Sequence, residues 1–302
     1  MAMTKKILVI DDERTQAEAL ALKIGRAFTD AEMIVASSEE EIESYVTDKF
    51  YNLAILDIRF DGYKKNGIDI AKQIIEVNPF AKIIFVSRFL VEYTPMLNPL
   101  MSTGRILAFS DKKEYDAWME ELKPIISSYY EDPSNGNEVN AALTATYAAA
   151  KNEEDTYKKG TMFEDFVALL FRSIGYNAIY KRVKDLSLNE VDLIVRNEID
   201  DAFLSKFNKY IIVECKNRPD TPVNKNDFIV FKNKLDATYG LASLGFLFST
   251  SYVTWNTYEE AIRDSKEGSK VIFIDNTRMQ QLLSSSDIKE ELKRIIDAQV
   301  KD

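Results

Sequence analysis

Glu214 and Lys216 stand two residues apart in IIVECKN, an otherwise apolar run of strand-forming residues. Side chains alternate across a strand, so these two charges share one face while Cys215 takes the other. Charges on an apolar strand are costly unless a metal, a water or one another pairs with them. Upstream, Asp192 interrupts the apolar run EVDLIV, and Glu164 lies in the helical stretch TMFEDFVALLFRSIGY. Three carboxylates are then available to hold one or two Mg²⁺ ions, with a lysine beside them. Such an ion lowers the pKa of a bound water and steadies the charge that develops at phosphorus, while Lys216 can orient that water or meet the same charge. The competing reading is an internal salt bridge between Glu214 and Lys216 on a sheet face.

A second set sits near the start of the chain. Asp11 and Asp12 close the run KKILVI, and Asp57 closes LAILDI. Two adjacent carboxylates at one strand end, with a third on a neighbouring strand, can hold one Mg²⁺ and leave positions for water and phosphate oxygens. A carboxylate beside that ion can itself be a nucleophile and form an aspartyl phosphate, which makes Asp57 the candidate acceptor. Ser87 and Lys112, at the next two strand ends, would bind the remaining phosphoryl oxygens. Taken alone, Asp11 and Asp12 also read as a solvated helix cap.

The elements that must position these groups are legible in the pattern. Over residues 1–130, short β-branched runs alternate with amphipathic helical stretches beginning near Thr15, Ser38, Gly67 and Lys113. This predicts a doubly wound parallel sheet of five strands, whose functional crevice lies at the carboxyl ends of the strands. All five residues of the second set fall there. Residues 131–157 open with turn formers, pass through an Ala-rich stretch and close on charges, and read as a linker that is helical in part. From Gly160 onward the pattern changes: a helix ending at Gly175, the strands EVDLIV, YIIVECK and LGFLFST, two more helices and the strand KVIFID predict a second α/β domain over residues 158–302.

Composition narrows the chemistry. A chain of 302 residues suits two domains, and its 46% hydrophobic and 29% charged residues are ordinary for globular protein. No apolar run approaches a membrane span, and the short run near the start ends in two aspartates, unlike a secretory signal, so a cytoplasmic location is expected. The single cysteine, Cys215, excludes an internal disulfide; the absence of histidine excludes Ser-His-Asp and Cys-His triads and every His-dependent nuclease. Hydrolysis must run on carboxylates, lysines and a hard metal. The net charge of −10 works against a generic nucleic-acid coat, so a DNA-binding face must be a local patch or be supplied by metal ions.

VIDDE, AILDI, FVS and FSDKK, in this order and spacing, resemble the response-regulator receiver family across most of the first 130 residues. The resemblance implies a flavodoxin-like fold, phosphotransfer from a histidine kinase partner to Asp57, metal binding by Asp11, Asp12 and Asp57, and phosphate contacts from Ser87 and Lys112. The chain departs from the family at Lys113, where proline is usual, and in a long loop from Asp57 to Gly67. Pro95 and Pro99 in VEYTPMLNPLMS predict an irregular stretch where the family has its fourth helix, a common dimer face, which counts against a homo-oligomer through that face. Phe109 falls where the family often has a switch aromatic, and reads as core.

GTMFED, EVDLIV, IIVECKN and GFLFSTSYVTWNTYEEAI resemble the restriction-endonuclease-like PD-(D/E)XK superfamily, in particular its Mrr-like branch. That resemblance implies a restriction-endonuclease-like α/β domain, Asp192, Glu214 and Lys216 as catalytic residues, Glu164 as an accessory acid, and Mg²⁺ (with Mn²⁺ as a substitute) at Asp192 and Glu214. It also implies DNA as substrate, in restriction of foreign DNA. Val191 replaces the proline of the motif's name. Asn217, Asp227, Lys232 and the basic cluster KRVK at residues 181–184 are further candidates for phosphate contact, each of which also reads as ordinary surface or loop. Trp255 reads as core or as a base-stacking surface. The alternative from another class is a signalling or DNA-binding protein whose nuclease fold does not cut.

Overall fold

The structure, a computed structural model, describes residues 5–88, 90–184, 190–238, 240–264 and 269–301. Its contacts divide the chain into two compact units, Met1–Val139 and Asn140–Asp302. In the first, strands β1 (Lys5–Ile10), β2 (Ala31–Ala36), β3 (Leu53–Asp57), β4 (Lys82–Val86) and β5 (Ile106–Ser110) pair in parallel in the order β2-β1-β3-β4-β5. They alternate with helices α1 (Arg14–Ala27), α2 (Glu39–Asp48), α3 (Gly67–Val77), α4 (Leu90–Met101) and α5 (Tyr115–Glu131). This is the doubly wound parallel sheet expected from the pattern, in the flavodoxin-like order that the resemblance implied. Helices cover both faces, so every residue of LAILD in β3 is buried: Ala54 and Leu56 join one core and Leu53 and Ile55 the other.

Two local features fix the strand ends. Asn66 caps α3 by accepting from the amides of Ile68 and Asp69, and Gly67 donates its amide to the Ile58 carbonyl at 2.8 Å. A Cβ on Gly67 would stand 1.9 Å from the Asp57 carbonyl oxygen, so only glycine lets α3 start against the end of β3. The stretch holding Pro95 and Pro99 is helical throughout, which corrects the expected irregularity. The prolines are four residues apart on the exposed face of α4, while Leu97 and Leu100 anchor the other face. Phe109 stacks on Phe85 at 5.7 Å within the core.

Helix α6 (Pro133–Asn152) precedes α7 (Thr156–Ile174), after which Gly175 reverses the chain at φ 122°. The second sheet comprises β6 (Ile179–Lys184), β7 (Glu190–Arg196), β8 (Tyr210–Lys216), β9 (Leu244–Ser249) and β10 (Lys270–Ile274), in the order β10-β9-β8-β7-β6. β7 runs antiparallel to β6 and to β8, and β8, β9 and β10 run parallel. Helices α8 (Lys225–Asp236), α9 (Trp255–Asp264), α10 (Asn276–Ser284) and α11 (Ile288–Lys301) complete the unit. Phe171 of α7 packs edge-on against Phe246 and Phe248 of β9, while Phe231 of α8 joins the core on the sheet's opposite face. The cluster KRVK lies in β6, against the expectation of a loop, because IYKRVK pairs with β7.

Replacing Gly67 by alanine should push α3 away from the Asp57 carbonyl and lower stability by about 1–3 kcal/mol in a denaturant titration. A Gly67→Ala protein that unfolds at the wild-type midpoint would contradict this reading of the strand end.

Candidate functional site

The first site is built on three strand ends and the segment beyond a fourth. Asp11 follows β1, Asp57 ends β3, Ser87 follows β4 and Lys112 lies just past β5. The ligating oxygens of Asp11, Asp12 and Asp57 all lie within 4.8 Å of one another. Lys112 Nζ donates to Asp11 Oδ2 at 2.6 Å and to Asp57 Oδ2, while its backbone amide reaches the Ser87 carbonyl. Asp57 Oδ1 also accepts from the amide of Ile58 at 2.7 Å, and Asp12 Oδ2 from that of Asp61 at 2.9 Å. Burial pushes the Asp11 carboxyl up in spite of Lys112. Burial works against the Lys112 charge too, but Asp11 and Asp57 outweigh it and raise the ammonium. One ammonium among three carboxylates leaves excess negative charge, the condition that a hard divalent cation relieves. Asp12, Asp57, Ser87 and Lys112 line one polar cleft of about 190 Å³ with Arg59 and Arg88.

The second site lies where β7 misses one rung with β6 and its pairing with β8 ends. The β7–β8 ladder ends at Leu193 and Val213, one position short of Asp192 and Glu214. There the Asp192 carboxylate accepts from the Cys215 amide at 2.6 Å. On the other side, β6 and β7 pair at Lys181 with Leu193 and at Val183 with Val191, but the rung between, Arg182 opposite Asp192, is missing. Arg182 adopts φ 53°, the only described non-glycine residue at positive φ, a conformation that costs about 1–2 kcal/mol. Strain of this kind concentrates at functional sites.

Glu214 is 4% exposed and lies between two lysines: Lys216 Nζ is 2.6 Å from Oε1, and Lys234 Nζ is 2.9 Å from Oε2. Burial, followed by the charge of Glu214, pushes the Asp192 carboxyl up to about 7. On α7, Glu164 Oε2 accepts from Arg182 Nε at 2.6 Å, yet burial keeps its carboxyl above the usual range. The structure thus brings Asp192, Glu214 and Lys216 together, with Glu164 near enough for its charge to raise Asp192 as well. Among the described residues, Glu164, Asp192 and Glu214 are not gathered into a tight three-carboxylate set like that of the first unit. Their donor chemistry nonetheless fits a hard cation: carboxylate oxygens that repel one another in a buried setting.

Lys234 was not singled out in the sequence. Among the lysines of FKNKLD nothing marks it except its place on the helix that follows the ECK strand, and it also donates to the Glu190 carbonyl at 2.8 Å. Other candidates have structural work. Asn217 donates to the carbonyls of Ala150 and Lys159, Asp227 completes the α8 capping box and pairs with Arg218, and Lys232 pairs with Asp236. Lys181 pairs with Asp165; the Lys184 side chain lies outside the described residues. Burial raises the thiol of the half-buried Cys215, as suits an unreactive sulfur. Trp255 is 72% exposed, which removes the core reading. Among the described residues no helix is long and apolar enough to cross a membrane.

Residues 158–283 match the restriction endonuclease family model of the Mrr catalytic type. No curated protein matches the chain. Solved structures similar to it include a response regulator receiver domain protein from Methanospirillum hungatei (21% identity, TM-score 0.34), which covers 42% of this chain and 98% of its own. The response regulator TrrA from Thermotoga maritima is 27% identical over 40% of this chain and 98% of its own, with TM-score 0.32. A receiver protein from Pseudomonas putida is 22% identical over 42% and 99%, with TM-score 0.35. The chain thus joins a five-stranded parallel α/β unit of flavodoxin-like strand order to a unit that matches the restriction endonuclease model over residues 158–283.

Proposed function

We propose that this protein is a metal-dependent DNA endonuclease that hydrolyses phosphodiester bonds and is regulated or scaffolded by its receiver. Asp192, Glu214 and Lys216 do the cutting, with Glu164 as accessory acid, in restriction of foreign DNA. The observation that carries the reading is the opened ladder at Asp192, which places that carboxylate on the Cys215 amide beside Glu214 and its lysines. Asp192 and Glu214 are the residues to hold Mg²⁺ or Mn²⁺, which would supply an acidified water and positive charge for phosphoryl oxygens. The Cys215 amide fixes one Asp192 oxygen, and Lys234 fixes one oxygen of Glu214. Lys216, bound to the other Glu214 oxygen and about a quarter exposed, can turn to a phosphate or a water.

The proposed boundaries are a receiver over 1–130, a connecting segment over 131–157 and the nuclease over 158–302. In the receiver, Asp57 is the acceptor for a phosphoryl group from a histidine kinase, Mg²⁺ is held by Asp11, Asp12 and Asp57, and Ser87 and Lys112 meet the phosphate. A phosphoryl group regulates only by favouring one of two states over another. The protein acts in the cytoplasm, and a homo-oligomer is one form such a scaffold takes. One observation favours a non-cutting, DNA-binding signalling protein instead: two lysines neutralise Glu214 in a chain of net charge −10.

Plasmid DNA, modified and unmodified, incubated with Mg²⁺ or Mn²⁺, should be nicked or cut by wild type. Folded Asp192→Ala and Lys216→Ala proteins should be slower by at least about a hundredfold. Wild-type inactivity on all substrates, with a phosphodonor present, would favour the signalling reading. Phosphodonor should change the wild-type rate and leave Asp57→Ala unaffected; equal responses would remove the switch.

Stability should also carry the signature of Asp192. Between about pH 4, where an ordinary carboxyl ionises in the unfolded chain, and about 7, the folded carboxyl retains a proton that the unfolded one releases. Folded stability therefore falls as pH rises through this window. Metal-free Asp192→Asn should lack that slope, and parallel wild-type and variant curves would contradict the assignment.

A further inference from the structure

The resting structure pairs Glu164 with a cation of its own chain. Arg182 Nε lies 2.6 Å from Glu164 Oε2, and the second guanidinium nitrogen lies 4.0 Å from Asp165. Arg182 reaches Glu164 from the one rung of β6–β7 that is unpaired, the rung of Asp192, through the one left-handed non-glycine backbone among the described residues. A structural salt bridge does not require that geometry, since an extended residue at 182 would keep the ladder whole. The positive φ, the missing rung and the Glu164 contact coincide at this one residue. Arg182 remains 36% exposed, whereas the Glu164 side chain is 15% exposed, so the arginine is the partner able to meet a ligand from solvent. A guanidinium also matches the paired oxygens of a phosphodiester better than an ammonium does.

We infer that Arg182 is a positioning residue that holds Glu164 in the resting site and exchanges it for a backbone phosphate of bound nucleic acid, which frees Glu164 to turn toward the cation between Asp192 and Glu214. This rests on the metal-site reading above. The exchange couples the two ligands: phosphate binding strengthens cation binding and, by reciprocity, cation binding strengthens phosphate binding. Glu164 is thereby released only when a phosphate has taken its place on Arg182.

The test uses the full chain carrying Asp11→Asn and Asp12→Asn, so that the receiver carboxylates do not compete for metal. Glycine is at ease at φ 53°, so Arg182→Gly removes the side chain while relieving the backbone; Arg182→Gln serves as a second variant. Mn²⁺ titration by calorimetry, without DNA, should show both variants binding Mn²⁺ tighter by about fivefold or more, an effect lost when Glu164→Gln is added. In EDTA, both should bind duplex DNA more weakly, with a log affinity against log salt slope smaller by about one phosphate contact. Unchanged Mn²⁺ affinity, or an unchanged salt slope, overturns the exchange. If Asp192→Asn in the same background leaves Mn²⁺ binding untouched, the metal-site reading itself falls, and the exchange with it.

Discussion

A carboxylate buried at the end of an apolar strand is tolerable only when cations meet it, and both units of this chain are organised around that constraint. In the first, Lys112 sits between Asp11 and Asp57; in the second, Lys216 and Lys234 take one oxygen each of Glu214. Removing one partner of a buried pair typically costs about 3–5 kcal/mol, because the remaining charge is left in low dielectric. Such pairs are poor sources of net stability compared with well-packed apolar groups. Their value here is to hold acidic groups at strand ends.

The backbone is shaped to the same purpose. Gly67 allows α3 to begin against the Asp57 carbonyl, and so closes the loop beside the Asp57 carboxylate. In the second sheet the ladder is interrupted on both sides of Asp192: by the Arg182 conformation toward β6 and by the end of pairing toward β8. A continuous ladder would satisfy the Cys215 amide with backbone, whereas the opened one gives it to Asp192 and fixes the carboxylate beside Glu214.

Much of this was legible in residue types and spacing. Runs such as KKILVI, LAILDI and IIVECKN announce buried strands, and the acids that end or interrupt them stand out because apolar strands have no structural use for them. The helix through Pro95 and Pro99 was not legible, because proline penalties depend on which face is wet and which carbonyls reach water. Nor was Lys234: its role comes from the helix packing that brings it to Glu214, and a lysine on a helix carries no mark of its partner. KRVK misled because its charges mask a strand that is defined by pairing with β7. Asp227 and Asn217 illustrate the reverse, polar residues near a motif that are occupied by capping and by holding backbone carbonyls.

The opened rung at Asp192 and the lysine-bracketed Glu214 are proposed to form a cation site. The measurement that bears on it most directly is anomalous diffraction at the manganese edge from crystals of the full chain soaked in Mn²⁺. The expected result is a peak bridging Asp192 and Glu214, with Lys216 moved off Glu214, alongside a separate peak among Asp11, Asp12 and Asp57. A map with manganese only at the receiver carboxylates, and Lys216 still paired with Glu214, would contradict it.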